Sequence, residues 1–286
     1  DLSQNKLTNR INNAHITRIT SLAVVPGDQH FVSVSDDKNI NIWSLADGRL
    51  YHRFVNAHAD GITVVISTAD KNRIVTGSRD KTVAIWNLSK KELVTRLEGT
   101  VNKPITALAT DKKLSYLFSG YEDGSISRWD LKNENLNDCF TAYNSTYEAM
   151  VVTNDNRLAI FYNTNKIYAW DISKREKIWN VEIDDFEMSS LIVSPDNSKL
   201  ILGNGEGKVG VFDLAEKKIV KTTPSAPEQD ILYLAITQDL KFLIAAQYSW
   251  SDENAMIVIW NYEDLSVIHK LKYEYSIKGL IVTKDC

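Results

Sequence analysis

Residues 80–86 read Asp80-Lys81-Thr82-Val83-Ala84-Ile85-Trp86, a turn followed by a short apolar run that ends at tryptophan. Similar phrases occupy residues 37–43 and 123–129. The closing aromatic residue recurs along the chain at spacings of 43, 43, 41, 42 and 48 residues: Trp43, Trp86, Trp129, Trp170, Phe212 and Trp260. Self-similarity at such a period indicates a tandem repeat of one supersecondary unit.

Each repeat contains four short runs rich in β-branched residues. In the second repeat these runs are Ile62–Ser67, Arg73–Gly77, Val83–Leu88 and Leu93–Leu97, and turn-forming residues separate them. The pattern predicts four antiparallel strands per repeat, which is the unit of a β-propeller blade. A generic β-sandwich is the alternative, but sandwiches do not place an aromatic residue at this interval.

The composition of the 286 residues is that of an ordinary globular protein, with 43% hydrophobic and 24% charged residues. The longest apolar run, Ile231–Ile236, is too short to cross a bilayer, and the net charge of −4 argues against nucleic-acid binding. Two cysteines form no disulfide framework, which favours a cytoplasmic location. The chain begins at Asp1 without a methionine, so we expect a fragment of a longer protein.

These repeats resemble those of the WD-repeat (WD40) β-propeller family, and the resemblance covers nearly the whole chain. It implies two buried tetrads, in which Asp binds His, His binds Ser and Ser binds Trp. The first two repeats supply the residues at equal offsets: His15, Ser35, Asp37 and Trp43, then His58, Ser78, Asp80 and Trp86. The third repeat has Val101 at the histidine position, and the last three have Thr164, Glu206 and Asn254 at the aspartate position.

The ends of the chain predict seven blade positions in one propeller domain spanning residues 1–286. Six repeats are complete, and we expect the seventh to be split between residues 1–13 and 273–286, because Ile277-Lys278-Gly279-Leu280 repeats the first run of a blade. In the six-bladed alternative, Lys6–Ile11 would pair with Met256–Trp260 and displace Ser266–Leu271.

No motif in the chain favours catalysis. His58, Ser78 and Asp80 have the composition of a catalytic triad, but a second copy in the adjacent repeat favours a structural role. Residues 205–210 match the dinucleotide fingerprint G-x-G-x-x-G, yet a strand pattern follows them, so a hairpin turn is the better interpretation. The five histidines and two cysteines show no metal-ligand spacing, and we predict neither cofactor nor metal.

The resemblance also predicts which residues line the propeller face. One set lies between the tetrad Ser and Asp positions: Asp36, Arg79, Glu122, Asn163 and Gly205. The other lies one residue into the first strand: Thr20, Thr63, Thr106, Tyr147, Ser189, Leu232 and Lys278. Arg79 lies between acidic counterparts in its neighbours, so it either closes an ion-pair rim or contacts a partner.

The sixth repeat is longer, and its hairpin carries Tyr248 and Trp250, which either fold over the channel or contact a partner. The candidate partner-binding residues are Asp36, Arg79, Glu122, Tyr147, Tyr248, Trp250 and Lys278. We predict a non-catalytic scaffold that binds other proteins or peptides. The alternatives are a structural module of a large assembly, such as a coat, ciliary or BEACH-type protein, and a propeller enzyme.

Overall fold

The computed structural model describes residues 11–25, 27, 29–99, 101–110, 115–131, 135–141, 149–155, 157–174, 176–224, 229–249, 254–273, 277 and 280. These residues form 24 strands in six four-stranded antiparallel sheets. The described residues form two compact units. The first unit ends at Met150, and the second begins at Val151. None of the described residues belongs to a helix able to span a membrane.

The first unit contains three sheets, here called blades 1 to 3, whose strands pair in chain order. Blade 1 comprises β1 (Ile19–Val24), β2 (His30–Ser35), β3 (Ile40–Ser44) and β4 (Leu50–Phe54). Blade 2 comprises β5 (Ile62–Ser67), β6 (Arg73–Ser78), β7 (Thr82–Asn87) and β8 (Glu92–Glu98). Blade 3 comprises β9 (Ile105–Thr110), β10 (Tyr116–Tyr121), β11 (Ser125–Asp130) and β12 (Asn135–Thr141).

The second unit contains blades 4 to 6, and its boundary falls inside the first strand of blade 4. Blade 4 comprises β13 (Ala149–Val152), β14 (Leu158–Asn163), β15 (Lys166–Asp171) and β16 (Glu176–Glu182). Blade 5 comprises β17 (Met188–Val193), β18 (Lys199–Asn204), β19 (Val209–Asp213) and β20 (Lys218–Thr222). Blade 6 comprises β21 (Gln229–Ile236), β22 (Phe242–Ser249), β23 (Ala255–Asn261) and β24 (Val267–Tyr273).

The prediction of seven blade positions is wrong, because the described part of the chain forms six blades. The six-bladed alternative is also wrong in its pairing, since β24 itself pairs with β23 and is not displaced. The run Val267–Tyr273 supplies the fourth strand from within its own repeat, so blade 6 needs no strand from the start of the chain. Ile277 is in no strand, and residues 1–10 lie outside the described residues. That the chain is a single domain stays a prediction.

Within each unit, core residues lie between the middle strands of one blade and the first strand of the next blade. In blade 2, Val75 and Val83 are fully buried and share an apolar cluster with Ile105 of blade 3. Gly77 makes this approach possible, because a Cβ atom there would lie 2.5 Å from Cγ2 of Ile105. Burial of β-branched side chains on both faces explains why the middle strands read as continuous apolar runs.

Two β-bulges recur at fixed positions in the blades. One lies in the first strand and bypasses Thr20, Thr63, Thr106, Ser189 and Leu232. The other lies in the fourth strand, opposite the repeated aromatic residue, and in five blades it bypasses Tyr51, Val94, Ile178, Val220 and Ile268. A bulge bends its strand and changes the direction of the bypassed side chain. The side chains of both sets of bypassed residues are therefore directed differently from those of their neighbours in the same strand.

Candidate functional site: polar networks and the blade edge

A chain of buried hydrogen bonds connects the repeated tryptophan of blade 2 to a carboxylate. Trp86 Nε1 donates to Thr76 Oγ1 at 2.9 Å, and Thr76 Oγ1 lies 2.8 Å from His58 Nε2. His58 Nδ1 lies 2.9 Å from Asp80 Oδ2. When the imidazole is neutral, both of its nitrogen atoms are hydrogen-bonded: the Thr76 hydroxyl donates to Nε2, and the Nδ1–H group donates to Asp80. The network satisfies polar groups that are otherwise costly to bury.

Blade 1 repeats this network with serine in place of threonine. Trp43 Nε1 donates to Ser33 Oγ at 2.8 Å, and Ser33 Oγ lies 2.8 Å from His15 Nε2. His15 Nδ1 lies 3.0 Å from each oxygen of Asp37. The structure thus brings together the predicted histidine, aspartate and tryptophan of both tetrads.

The predicted serines, Ser35 and Ser78, are wrong. Trp43 pairs with Phe31, and Ser35 lies four residues further along β2, roughly 13 Å away at the rise of a strand. Ser33, two residues closer and on the same face, is within reach. Ser78 instead caps the turn, where it accepts from the Asp80 N–H at 3.0 Å and donates to the Gly61 carbonyl at 2.9 Å.

Asp80 receives more donors than the predicted tetrad supplies. The Ala59 N–H donates to it at 2.9 Å and the Thr82 hydroxyl at 2.7 Å. Burial by itself would raise the pKa of Asp80, but the hydrogen bonds from His58 and Thr82 outweigh burial and hold that pKa well below its usual range. Arg96 completes the group: it donates to the Thr82 hydroxyl at 2.8 Å and to the Ala57 carbonyl at 2.7 Å.

Three of the residues predicted to line the propeller face occupy equivalent positions, immediately after the second strand of their blades. The backbone N–H groups of Asp36, Arg79 and Glu122 each donate to the carbonyl that precedes the first strand of the same blade, at 3.2, 3.0 and 3.1 Å. Glu122 is exposed. Arg79 Nη1 donates to Asp36 Oδ1 at 2.7 Å, which joins blade 2 to blade 1.

Sequence reasoning missed Arg18 and Gly61, which complete this edge. Arg18 Nε lies 3.2 Å from the second oxygen of Asp36, so one carboxylate pairs with two guanidinium groups. Gly61 lies beneath the pair, since a Cβ atom there would be 2.9 Å from Asp36 Oδ1 and 3.1 Å from Arg79 Nη1. The side chains of Arg18 and Arg79 are 57% and 41% exposed. We call Arg18, Asp36, Gly61 and Arg79 the arginine edge.

Three of the bypassed hydroxyls of the first strands bond to the neighbouring blade. Thr20 Oγ1 donates to the Ile62 carbonyl at 2.5 Å, and Thr63 Oγ1 donates to the Ile105 carbonyl at 2.6 Å. Ser189 Oγ does the same to Ile231 at 2.6 Å. These residues, which the resemblance assigned to a binding face, therefore join adjacent blades.

Of the four remaining candidate partner-binding residues, the structure describes only Tyr248. Tyr248 is not at a hairpin tip: it lies in β22, where it is half-buried and its backbone is in register with Ala255 of β23. The longer strands of blade 6 bring it into the sheet. Tyr147, Trp250 and Lys278 lie outside the described residues.

The repeats match a known family model. The model described as "WD domain, G-beta repeat" matches residues 6–44, 48–87 and 91–130. Residues 6–130 of the chain therefore consist of WD repeats. A comparison with curated proteins gives no match.

The second and third matched WD repeats are each offset by one strand from a blade. The match to residues 48–87 spans β4 of blade 1 and the first three strands of blade 2. A repeat thus begins in one blade and ends in the next. This offset joins neighbouring blades covalently, in addition to the bonds made by the bypassed threonines.

The third WD repeat departs from the tetrad. Trp129 Nε1 still donates to Ser119 Oγ at 2.9 Å, but Val101 replaces the histidine. The Tyr121 hydroxyl lies 3.3 Å from Ser119 Oγ, and Tyr121 is fully buried. Gly99 leaves space for this ring, because a Cβ atom at residue 99 would be 2.7 Å from the hydroxyl oxygen.

The glycine-rich segment 205–210 comprises the hairpin turn between β18 and β19 and the first two residues of β19. Gly207 adopts φ of +69°, which suits glycine, and Asn204 Oδ1 accepts from the N–H groups of Glu206 and Lys208 at 3.0 and 2.8 Å. A strand follows the segment, as predicted, whereas a dinucleotide site needs a helix there. Among the described residues, no group of three His, Cys, Asp or Glu side chains is arranged to hold a metal.

Proposed function

We propose that the chain is a non-catalytic platform for binding other proteins, and that the arginine edge is one of its contact surfaces. The WD-repeat fold is generally a protein-interaction scaffold. The observation that carries the proposal is the Asp36 carboxylate held between the two exposed guanidinium groups of Arg18 and Arg79. Each guanidinium has five N–H donors, so the ion pairs leave several for an acidic side chain or a backbone carbonyl of a partner.

The backbone under the arginine edge is well supported. Arg79 follows a strand that is buried along most of its length, and its N–H is bonded to Gly61. Little conformational entropy is therefore lost by the frame when a partner binds. This rigidity favours recognition at a fixed geometry.

Burial of the triad-like residues supports the absence of catalysis. The His58 side chain is fully buried, and so is Thr76, whose hydroxyl is the group that faces the imidazole. Thr76 also accepts from Trp86, so no face of this hydroxyl is open to a substrate. A nucleophile must reach its substrate.

The test compares two arginines at opposite ends of β6. Arg79→Glu removes the edge contact, while Arg73→Glu serves as the matched control, because Arg73 is also ion-paired, with Asp70 at 2.6 Å. We expect quantitative mass spectrometry of affinity-purified chain to show specific partners that are lost with Arg79→Glu and kept with Arg73→Glu. Equal partner recovery by both variants would contradict the role of the arginine edge.

A charge-reversed pair separates partner contact from a purely internal ion pair. Arg79→Asp combined with Asp36→Arg can re-form the salt bridge between the blades. If the bridge only stabilises the edge, the double variant regains partner binding. We expect that it regains part of the thermal stability, because Arg18 then faces a guanidinium in place of a carboxylate, but that it does not regain binding.

A further inference from the structure

The bulge in the fourth strand leaves a large apolar side chain exposed in five blades. These are the bypassed residues Tyr51, Val94, Ile178, Val220 and Ile268, which are 38–48% exposed. A fourth strand forms the free edge of its sheet, and the bulge directs the bypassed residue away from the regular alternation. Repetition at one position shows that the exposure comes from the blade geometry rather than from a local accident.

Two of these residues line similar cavities in the second unit. Ile178 lines a cavity of about 500 Å³ between blades 4 and 5. Val220 lines one of about 390 Å³ between blades 5 and 6, together with Val211, Leu240 and Tyr262. Both volumes fall in the range of ligand pockets and can take an apolar side chain of a peptide. We call them the Ile178 notch and the Val220 notch.

The fourth strands beside the two notches differ in the sign of their net charge. Strand β20 carries Lys218 and Lys221 and no acidic residue, while β16 carries Glu176 and Glu182 against the single Lys177. The charged residues that line the Ile178 notch are balanced, Asp155 and Asp213 against Arg157 and Lys199, whereas the Val220 notch is lined by Lys199 and Lys221 against Glu263. The two apolar residues are equally exposed, each at 40%, so charge is the main difference between the notches.

The lysines beside the Val220 notch retain donors for an anion. Lys218 pairs with Glu216 at 2.7 Å, and Lys221 donates to the main-chain carbonyl of Glu263. An ammonium group has three N–H donors, so one contact does not saturate it. Lysines on an edge strand also repel an identical strand, which disfavours a second copy of this chain as the occupant.

We propose that the Val220 notch docks an extended acidic segment of a partner protein. An apolar side chain of the segment enters the notch between Val220, Leu240 and Tyr262. Flanking carboxylates pair with Lys218 and Lys221. This surface belongs to the second unit and is independent of the arginine edge, so either proposal can fail without the other.

The test uses the full chain and two fluorescein-labelled synthetic peptides, one alternating glutamate with leucine and one alternating lysine with leucine. We expect saturable fluorescence anisotropy with the glutamate peptide only. Val220→Glu should weaken its binding by about tenfold or more, the loss of about 1.4 kcal/mol of binding free energy. Ile178→Glu, the matched control at the equivalent bulge, should leave binding unchanged.

A second variant protects the test against misfolding. Lys218→Glu with Lys221→Glu changes exposed charges and keeps Val220, and it should also abolish binding of the glutamate peptide while the circular dichroism melting curve is retained. The proposal is overturned if the glutamate peptide does not bind, if the lysine peptide binds equally well, or if Ile178→Glu weakens binding as much as Val220→Glu. Binding to phosphatidylserine vesicles in place of the peptide would overturn it as well.

Discussion

Blades 2 and 3 have the same strand pattern but different polar interiors. Blade 2 joins Trp86 to Asp80 through Thr76 and His58, whereas blade 3 stops at Ser119 with the Tyr121 hydroxyl beside it. Both form four-stranded sheets with a bulge before the aromatic residue. The apolar repeat therefore specifies the sheet, and the polar network is an addition that only some blades carry.

The difference also shows how the tryptophan keeps its hydrogen-bond acceptor when the rest of the network is lost. Trp129 needs one acceptor, and Ser119 supplies it. With Val101 at the histidine position, the aspartate position is free to change: Asp123 is exposed and accepts from the Ser125 N–H at 3.0 Å. Blade 2 has no such freedom, because four groups donate to Asp80.

The largest effect is expected for Asp80→Ala. This change leaves the His58, Ala59 and Thr82 donors unsatisfied beside the partly buried Arg96, and it should lower the free energy of unfolding by about 3 kcal/mol. Asp123→Ala, the same change in blade 3, should cost less than about 1 kcal/mol, because it removes one exposed turn bond. Urea denaturation of both variants measures the difference. Equal losses would contradict the comparison between the blades.

Thr76→Val should have the next largest effect. It replaces the hydroxyl that joins His58 to Trp86 by a methyl group of similar size. His58 Nε2 and the Trp86 N–H then lose their hydrogen-bond partner, which should lower the free energy of unfolding by about 2 kcal/mol. Thr76→Ser keeps the hydroxyl and is the control. Calorimetric melting should rank Thr76→Val below both Thr76→Ser and Ser78→Ala. A larger loss from Ser78→Ala would return the tetrad role to the residue that the sequence predicted.

A smaller effect should appear on acidification. The pKa values of Asp80 and Asp37 are held below their usual range, since hydrogen bonds in the networks outweigh burial, and Lys199 lowers the pKa of Asp213 to about 2. Because the folded state binds protons less readily than the unfolded state, stability is fully present above about pH 4 and is lost as pH falls below it. Asp80→Asn should flatten this decline in the urea midpoint between about pH 5 and about pH 2.5. An unchanged slope of the urea midpoint against pH would show that Asp80 does not cause the decline.

The sequence predicted the blade well because the aromatic period and the four runs reflect burial, which the structure repeats in every blade. It failed at Ser35 and Ser78, because two residues on one face of a strand differ only in their distance from the tryptophan, and that distance depends on pairing register. Gly61 was missed for a related reason. The folded structure, and not the sequence, shows that the missing Cβ of Gly61 leaves space for Arg79.

The blade count failed for a different reason. The run at residues 277–280 resembles a first strand, but Ile277 and Leu280, the two of these residues that the structure describes, are in no strand. The exposed bulge residues also could not be predicted from the sequence. Their pairs Leu50-Tyr51 and Leu93-Val94 read as ordinary strand residues, and only the register shift shows which residue of each pair is bypassed.

The smallest effect concerns the substitute interaction in blade 3. Gly99→Ala places a methyl group against the Tyr121 hydroxyl, where a Cβ atom would be 2.7 Å away, and should cost about 1 kcal/mol. Tyr121→Phe removes that hydroxyl and its 3.3 Å contact with Ser119, at a cost of about 1 kcal/mol. If the two groups meet as described, the double variant should be more stable than the sum of the single losses by about 0.5 kcal/mol or more. Urea denaturation of all four proteins gives this coupling energy. Strict additivity would show that Tyr121 does not occupy the space that Gly99 leaves, and that blade 3 has lost its network without a replacement.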